Sequence, residues 1–363
     1  MTDSNLIKHW IRPEIRELSA YHVPDPAGMI KLDAMENPYT WPDEMIREWQ
    51  VILKDIELNR YPDPSGRQLV RQIRKSFSIP DDMAILLGNG SDELIQMIAL
   101  AVAGKDRVIL APEPGFVMYS MIARFAGMQY VGVPLIASDF SLDMNAMRRA
   151  IETRQPAVIF LAYPNNPTGN LFDAEQVREI ITIAPGLVVL DEAYTAFAED
   201  TFMASLGQYP NLLVMRTVSK MGLAGLRLGY LAGPGEWLEE FDKIRLPYNI
   251  NVLTQASTEF ALRHKNVLDQ QTEVLKQERS RLFYLLQAVR GLEVYPSQAN
   301  FILFRVEGGL ADDLFGTLKK AGILIKNLSK SGELLTNCLR VTIGKPEEND
   351  RFIEAIRAYS GLC

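Results

Sequence analysis

Residues 158–194 read VIFLAYPNNPTGNLFDAEQVREIITIAPGLVVLDEAY. Two short runs inside this stretch, Val158–Ala162 and Leu187–Leu190, are apolar throughout and rich in Val, Ile and Leu, with an amphipathic stretch between them. A strand with one wetted face alternates apolar and polar residues, whereas a run with no polar position is buried on both faces. The same rhythm extends both ways from about residue 84. Val108–Ala111 and Val131–Pro134 precede the quoted stretch, and Leu212–Met215 and Gly229–Ala232 follow it. Short buried strands separated by amphipathic stretches predict an α/β layer fold, a mostly parallel sheet covered by helices. In such sheets ligands sit beyond the carboxyl ends of the strands, so the loops after these runs are where chemistry is expected.

The flanks read differently. Residues 1–30 are polar and proline-bearing, and suggest an arm that docks on something else. After Pro42, Met45, Ile46, Trp49, Ile52, Leu53 and Ile56 recur at helical spacing. Arg60–Gly66, with its two prolines, reads as a loop, and helical periodicity resumes from Gln68. Residues 236–290 are helical and charged, as expected of a long connecting helix. Beyond them, the runs Asn300–Phe304, Ile323–Ile325 and Leu339–Ile343 between helical stretches predict a smaller α+β domain. The expected division is an arm (1–30), a large domain (31–265) and a small C-terminal domain (266–363).

At 363 residues the chain exceeds what a single core usually supports. A net charge of −7 argues against nucleic acid or an anionic membrane, since both ask for a basic face. Two cysteines, Cys338 and Cys363, make no disulfide framework and suit a reducing cytoplasm. The three histidines, His9, His22 and His264, are scattered, so no metal site is expected. The start, MTDSNLIKHW, lacks a basic segment followed by an apolar one, and no apolar run is long enough for a membrane span.

Four segments invite a chemical reading, and each has a plain alternative. Gly88-Asn89-Gly90-Ser91-Asp92-Glu93 precedes a helical stretch and could seat a phosphate on the helix N-terminus; alone, it reads as a capped helix. Tyr163-Pro164-Asn165-Asn166-Pro167-Thr168-Gly169 offers amide side chains on what is otherwise a turn. Asp191 directly follows a buried run, so its carboxylate faces a ligand or must be satisfied otherwise; Tyr194 lies three residues on. Lys220, in the apolar, glycine-rich segment Thr217–Gly229, has Arg227 downstream. A partly desolvated lysine near a cation becomes a nucleophile, although most loop lysines are simply solvated.

In combination and order, these segments resemble the fold-type I, class I/II aminotransferases, over nearly the whole chain. Within that group the chain is most similar to the histidinol-phosphate aminotransferases. The closer match lies in Tyr21 with Pro24, Leu32–Pro38, Arg60–Asp63, Ser91–Glu93, Gln298–Phe301 and Leu339–Gly344. The resemblance implies pyridoxal 5′-phosphate as cofactor, carried by Lys220 as a Schiff base, with Asp191 paired to the pyridine nitrogen. Asn166 and Tyr194 would bond the ring's phenolic oxygen. Gly90, Ser91 and Asp92 would hold the phosphate by backbone donors, helped by Ser219 and Arg227. Phe116 would stack on the ring, with Tyr119 the rival aromatic. Tyr61 would reach the cofactor phosphate of a neighbouring subunit, so a homodimer with shared sites is implied. Arg340 would clamp a substrate carboxylate and Tyr21 would line the substrate pocket. A cis Asn166–Pro167 bond is also implied. Two positions depart from the family pattern: Met35 stands where Asn is usual, and Lys326 where Arg is usual. Arg227 also falls one residue earlier after the lysine than is common.

The implied activity is amino transfer between L-histidinol phosphate and 2-oxoglutarate in histidine biosynthesis. Alternatives are an aminotransferase for aromatic or other amino acids, and a decarboxylase of phosphorylated threonine. A regulator that only senses the cofactor would be expected to carry an added basic DNA-binding domain.

Overall fold

The apolar runs form strands. In the computed structural model, which describes residues 3–20, 23–104, 106–359 and 361, they are β3 (Val108–Glu113), β4 (Gln129–Pro134), β5 (Val158–Ala162), β6 (Leu187–Asp191), β7 (Leu212–Thr217) and β8 (Gly229–Gly233), preceded by two strands the sequence did not announce, β1 (Ile30–Lys31) and β2 (Ala84–Gly88). Tyr21, expected in the substrate pocket, lies outside the described residues. Seven of these strands make one sheet in the order β2-β8-β7-β6-β5-β3-β4. Strand β8 is antiparallel to both its neighbours, and every other adjacent pair is parallel.

The unbroken apolarity has the predicted cause. Val158, Phe160, Leu187, Val189, Leu213 and Met215 enter the core on one face of the sheet. The alternate residues Ile159, Leu161, Val188, Leu190, Leu212 and Val214 enter the core on the other. Helices Ser91–Val102, Met118–Phe125 and Gly235–Asp242 cover the first face. Helices Arg67–Phe77, Met144–Arg154, Ala174–Ile183 and Val252–Arg263 cover the second.

The sequence reading differs in three places. Strand β2 was not among the expected runs; it is a five-residue edge strand whose Gly88-Asn89-Gly90 ending reads as a turn. Residues 236–290 hold three helices rather than one: Gly235–Asp242, Val252–Arg263 and Lys265–Gln287. The first two are separated by a segment with Pro247, which cannot continue a helix, and Asn251 caps the second by accepting from Thr254 N–H. The C-terminal part adds β9 (Leu292–Val294), β10 (Phe301–Val306), β11 (Ile323–Leu324), β12 (Lys326–Asn327) and β13 (Cys338–Thr342). Of these, β9 and β12 were not read from the sequence.

Strands β12-β13-β10-β9 form an antiparallel sheet, while β11 pairs in parallel with β1. Leu32, just after β1, shares a core with Ile302, Phe304, Val341 and Phe352. The segment after residue 30 is therefore laid against the second sheet, and it reaches the first sheet's carboxyl edge from there. Among the described residues no helix is long and apolar enough to cross a membrane.

Behind that edge lies a buried ion pair. Arg216 donates from Nε and Nη2 to Oε2 of Glu192, at 2.9 and 2.7 Å. Thr201 and the Phe202 N–H complete the carboxylate's partners. Glu192→Ala strands the Arg216 guanidinium in the interior, and urea unfolding should register a loss of about 3–5 kcal/mol. A Glu192→Leu, Arg216→Met double variant should lose less than either single change. A larger loss in the double variant would contradict this account of the pair.

Candidate active site

The carboxyl ends of β5, β6 and β7 and the start of the helix after β2 converge on a cleft of about 390 Å³. At its floor is Asp191, the last residue of β6, with only 4% of its surface exposed. Its two oxygens are held separately. Tyr119 donates its hydroxyl to Oδ2 at 2.7 Å, and the Ala193 N–H donates to Oδ1 at 3.2 Å. Burial dominates the carboxylate's proton affinity and pushes it up to about 6, against the lowering effect of these two donors.

At the opposite end the helix Ser91–Val102 begins. Its first N–H groups have no intrahelical acceptor, and the helix dipole favours an anion there. Gly90 caps it at φ +84°, a conformation that glycine adopts without cost. Two absent side chains keep this corner open. A Cβ on Gly229 would stand 2.9 Å from Gly90 C and Ser91 N, and a Cβ on Gly90 would stand 2.6 Å from Arg227 Nη2. The Arg227 guanidinium therefore lies against the helix start, 3.8 Å from the Asp92 carboxylate. Two tight turns, Ser219–Met221 and Ala224–Leu226, followed by Arg227 itself at φ +49°, bring it there despite its short spacing from Lys220. Burial raises the Asp92 pKa, while Arg227 and Lys220 lower it.

Lys220 lies between these ends. Its Nζ donates to Ala34 O at 3.4 Å and stands 5.8 Å from the Tyr194 ring centroid. Desolvation, then the Arg340 charge, lowers its pKa to about 8. The Ser219 hydroxyl is 2.8 Å from that of Thr217, and both residues line the cleft.

The fourth wall joins the two sheets. Asn166 donates Nδ2–H to the Tyr194 hydroxyl at 3.2 Å and accepts from Arg340 Nη1 at 2.5 Å. Arg340, on β13, also donates to Asp33 O and lies over the Phe301 ring at 5.1 Å. The Asn166–Pro167 bond is cis, as the resemblance implies, and so are Glu113–Pro114 and Tyr163–Pro164. Met35 sits at φ +52°, its N–H bonded to Thr342 Oγ1 and its carbonyl accepting from Asn300 Nδ2. Such a backbone is costly for Met and easier for Asn.

The cleft thus gathers Ser91, Asp92, Phe116, Asn166, Asp191, Tyr194, Ser219, Lys220 and Arg227. Of the two candidate aromatics, Phe116 lines the cleft. Tyr119 is buried behind it, stacked on Phe160 at 4.8 Å with an interplanar angle of 10°. Tyr61 is not in this cleft: it is 80% exposed and stacks on Tyr248 at the surface. Lys326 on β12 is the cross-strand neighbour of Arg340, so their side chains share a face. Thr217, Ala193, Glu36 and Ala34 also line the cleft; they lie in segments the sequence singled out, but none was named as a site residue, since only the fold brings them there. Among the described residues no group of three or more His, Cys, Asp or Glu could hold a metal ion. The arrangement provides an anion seat at one end, a buried carboxylate at the other, and between them an amine of lowered basicity.

Residues 27–356 match the family described as aminotransferase class I and II. The chain is 56% identical over 352 residues to histidinol-phosphate aminotransferase 2 of Nitrosococcus oceani, covering 97% of this chain and 98% of that one. It is 52% identical to histidinol-phosphate aminotransferase 2 of Cupriavidus pinatubonensis, over 99% of this chain and 98% of that one. Among solved structures, the histidinol-phosphate aminotransferase of Sinorhizobium meliloti in complex with pyridoxal-5′-phosphate superposes with a TM-score of 0.85 at 25% identity. The match covers 96% of this chain and 98% of that chain.

An exposed lysine titrates near 10.4, so an amine lowered to about 8 is partly neutral where other lysines are not. Reductive methylation of the ligand-free chain, followed peptide by peptide across a pH series, should label Lys220 with a midpoint near 8. Its rate should fall as the pH drops through that value. A midpoint shared with the remaining lysines would contradict the desolvated setting.

Proposed function

The chain belongs to the class I and II aminotransferases, and from that premise we propose that it moves an amino group between L-histidinol phosphate and 2-oxoglutarate, with pyridoxal 5′-phosphate as its cofactor. The observation that carries the reading is the meeting of Lys220, Asp191 and the Arg227-backed helix start in one cleft. The residues present fit that cofactor. A phosphate suits the corner where Gly90 and Gly229 have no Cβ, with the Gly90-Ser91-Asp92 backbone, Ser219 and Arg227 as donors. Phe116 offers an aromatic face to the ring. A protonated ring nitrogen suits the Asp191 carboxylate, which is costly to bury alone. Asn166 and Tyr194 can donate to the ring oxygen, and Lys220 is the amine that would hold the cofactor covalently.

When bound, pyridoxal phosphate supplies an electrophilic carbon for amines and a ring that takes up electron density from the substrate Cα. The chain's residues do the remainder. Lys220, whose pKa of about 8 lies near working pH, can take the proton from Cα and return it elsewhere. Asp191 holds the proton at the ring nitrogen. Tyr194 and Asn166 hold the ring oxygen by hydrogen bonds, and Arg340 takes the anionic end of the substrate.

The donor assignment rests on the relatives' names together with the cations at hand. Histidinol phosphate has no α-carboxylate, so Arg340 must accept the carboxylate of 2-oxoglutarate in one half-reaction and another anionic group in the other. Guanidinium binds phosphate and carboxylate alike through paired N–H groups, and Lys326 beside it adds a second charge. Tyr21 is proposed to line the same pocket. The enzyme is further proposed to work in the cytoplasm as a homodimer. The exposure of Tyr61, away from its own chain's cleft, favours its serving the partner's site.

Two measurements test this. With 2-oxoglutarate present, histidinol should react with a kcat/KM roughly ten- to a hundredfold below that of histidinol phosphate, the value of losing a charge-assisted contact. If phenylalanine outpaces both, or threonine phosphate releases carbon dioxide, the donor is wrong. Separately, a weakened Tyr61→Phe chain and an inactive Lys220→Ala chain, mixed and refolded together, should show more activity than the two kept apart, because some dimers then hold one intact site. No recovery would contradict shared sites.

A further inference from the structure

We propose that Tyr119 is a positioning residue for the cofactor: from behind the cleft, its hydroxyl holds Asp191 Oδ2 and keeps that carboxylate charged and fixed in orientation for the ring nitrogen. The inference rests on the proposed use of pyridoxal phosphate.

Tyr119 is 1% exposed and stands on the helix Met118–Phe125, on the sheet face opposite the Glu192–Arg216 pair. Its ring cannot swing. It stacks on Phe160 at 4.8 Å and meets Phe116 edge-on at 5.5 Å. The hydroxyl is thereby delivered to one acceptor, Asp191 Oδ2, at 2.7 Å. A carboxylate this deep keeps its charge only if donors offset the lost water. The Ala193 N–H alone, at 3.2 Å, is the weaker of the two donors.

The groups facing Asp191 from the elements around it sharpen the need. Asp92, on the helix Ser91–Val102, and Glu192, next along the chain, both disfavour the charged form. Tyr194, in the turn after β6, is neutral at working pH, its own pKa raised chiefly by burial. Lys220 and Arg227 line the same cleft on the other side. Tyr119 remains a donor throughout, because burial and the Asp191 charge raise its own pKa far above the ordinary 10. A neutral Asp191 could not hold a proton on a ring nitrogen. Loss of this one hydroxyl would thus be felt at the cofactor, although Tyr119 lies outside the cleft. The same side chain backs Phe116 by its edge contact, so one residue supports both the floor and a wall.

Tyr119→Phe keeps both ring contacts and removes only the donor. In the ligand-free chain, an infrared titration of the carboxyl C=O band that is missing in Asp191→Asn reads Asp191 directly. Its midpoint, near 6 in the parent chain, should rise by about one pH unit in Tyr119→Phe. Pyridoxal phosphate should dissociate from Tyr119→Phe about tenfold more readily, by equilibrium dialysis and cofactor absorbance. In the Asp191→Asn background the same change should have little effect on cofactor affinity. An unmoved infrared midpoint, a parent-like cofactor Kd, or an equal loss with and without Asp191 would each overturn the inference. A parent chain that took up no pyridoxal phosphate would overturn the proposed function, and the infrared midpoint would still report on the Tyr119–Asp191 link by itself.

Discussion

A carboxylate at the end of a strand buried on both faces is the constraint around which this molecule is organised. Every residue of β6 before Asp191 is fully buried, and the chain then places a group whose charged form strongly disfavours such surroundings. The neighbourhood answers with separate donors for the two oxygens and with a cation-bearing cleft in front. The next residue, Glu192, repeats the problem on the opposite face and has a different solution, a guanidinium with a hydroxyl and an amide N–H. That pair is closed on itself and is structural. Asp191 keeps a side open to the cleft. The contrast between two adjacent acidic residues, one sealed and one facing a cavity, distinguishes a carboxylate available to a ligand from one that only stabilises the fold.

Two sheets are needed to complete the site. The first supplies Asp191, Lys220 and the helix start; the second supplies Arg340 from β13. The segment after β1 ties them, since Leu32 packs in the second core while Ala34 O accepts from Lys220 and Asp33 O accepts from Arg340. Lys220 and Arg340, whose charge adds to burial in lowering the lysine's pKa, are thus bonded to neighbouring carbonyls of one short strap. Met35, next along that strap, is held at positive φ by hydrogen bonds at both ends, so its unusual backbone is imposed by the second sheet.

Much of this was legible in the sequence. Strands β3–β8 followed from short apolar runs, because burial on both faces leaves a compositional mark. Lys220, Asp191, Asn166 and Arg227 stood out by their places after such runs and in glycine-rich turns, but each had a plain alternative, and only their combined order, through the family resemblance, assigned them roles. The edge strand β2 left a weaker mark, being short, partly exposed at its start and ended by glycines. The break of residues 236–290 into three helices was masked by helical periodicity on both sides of Pro247. Thr217, Ala193 and Ala34 are ordinary residues that matter only by position. The choice between Phe116 and Tyr119, three residues apart at the entry to one helix, could not be read from the sequence. It depends on which ring faces Phe160, and that is a property of the packed sheet.

Asn166 illustrates how a turn residue acquires a chemical role. In sequence, Asn-Asn-Pro-Thr-Gly is explained by turn preferences alone, and Asn165 indeed serves the turn by bonding Thr168 and Pro114 O. The Asn166 amide is oriented instead by a residue 174 positions away. An amide has one acceptor and one donor end. With Oδ1 committed to the Arg340 guanidinium, Nδ2 must point at Tyr194 and the cleft. Arginine cannot accept, so no flipped amide satisfies both partners. Arg340, from the second sheet, therefore fixes the direction of a donor that Asn166 presents beside Tyr194. An anion that drew Arg340 away would release that amide, which links occupancy of one half of the site to the hydrogen bonding of the other.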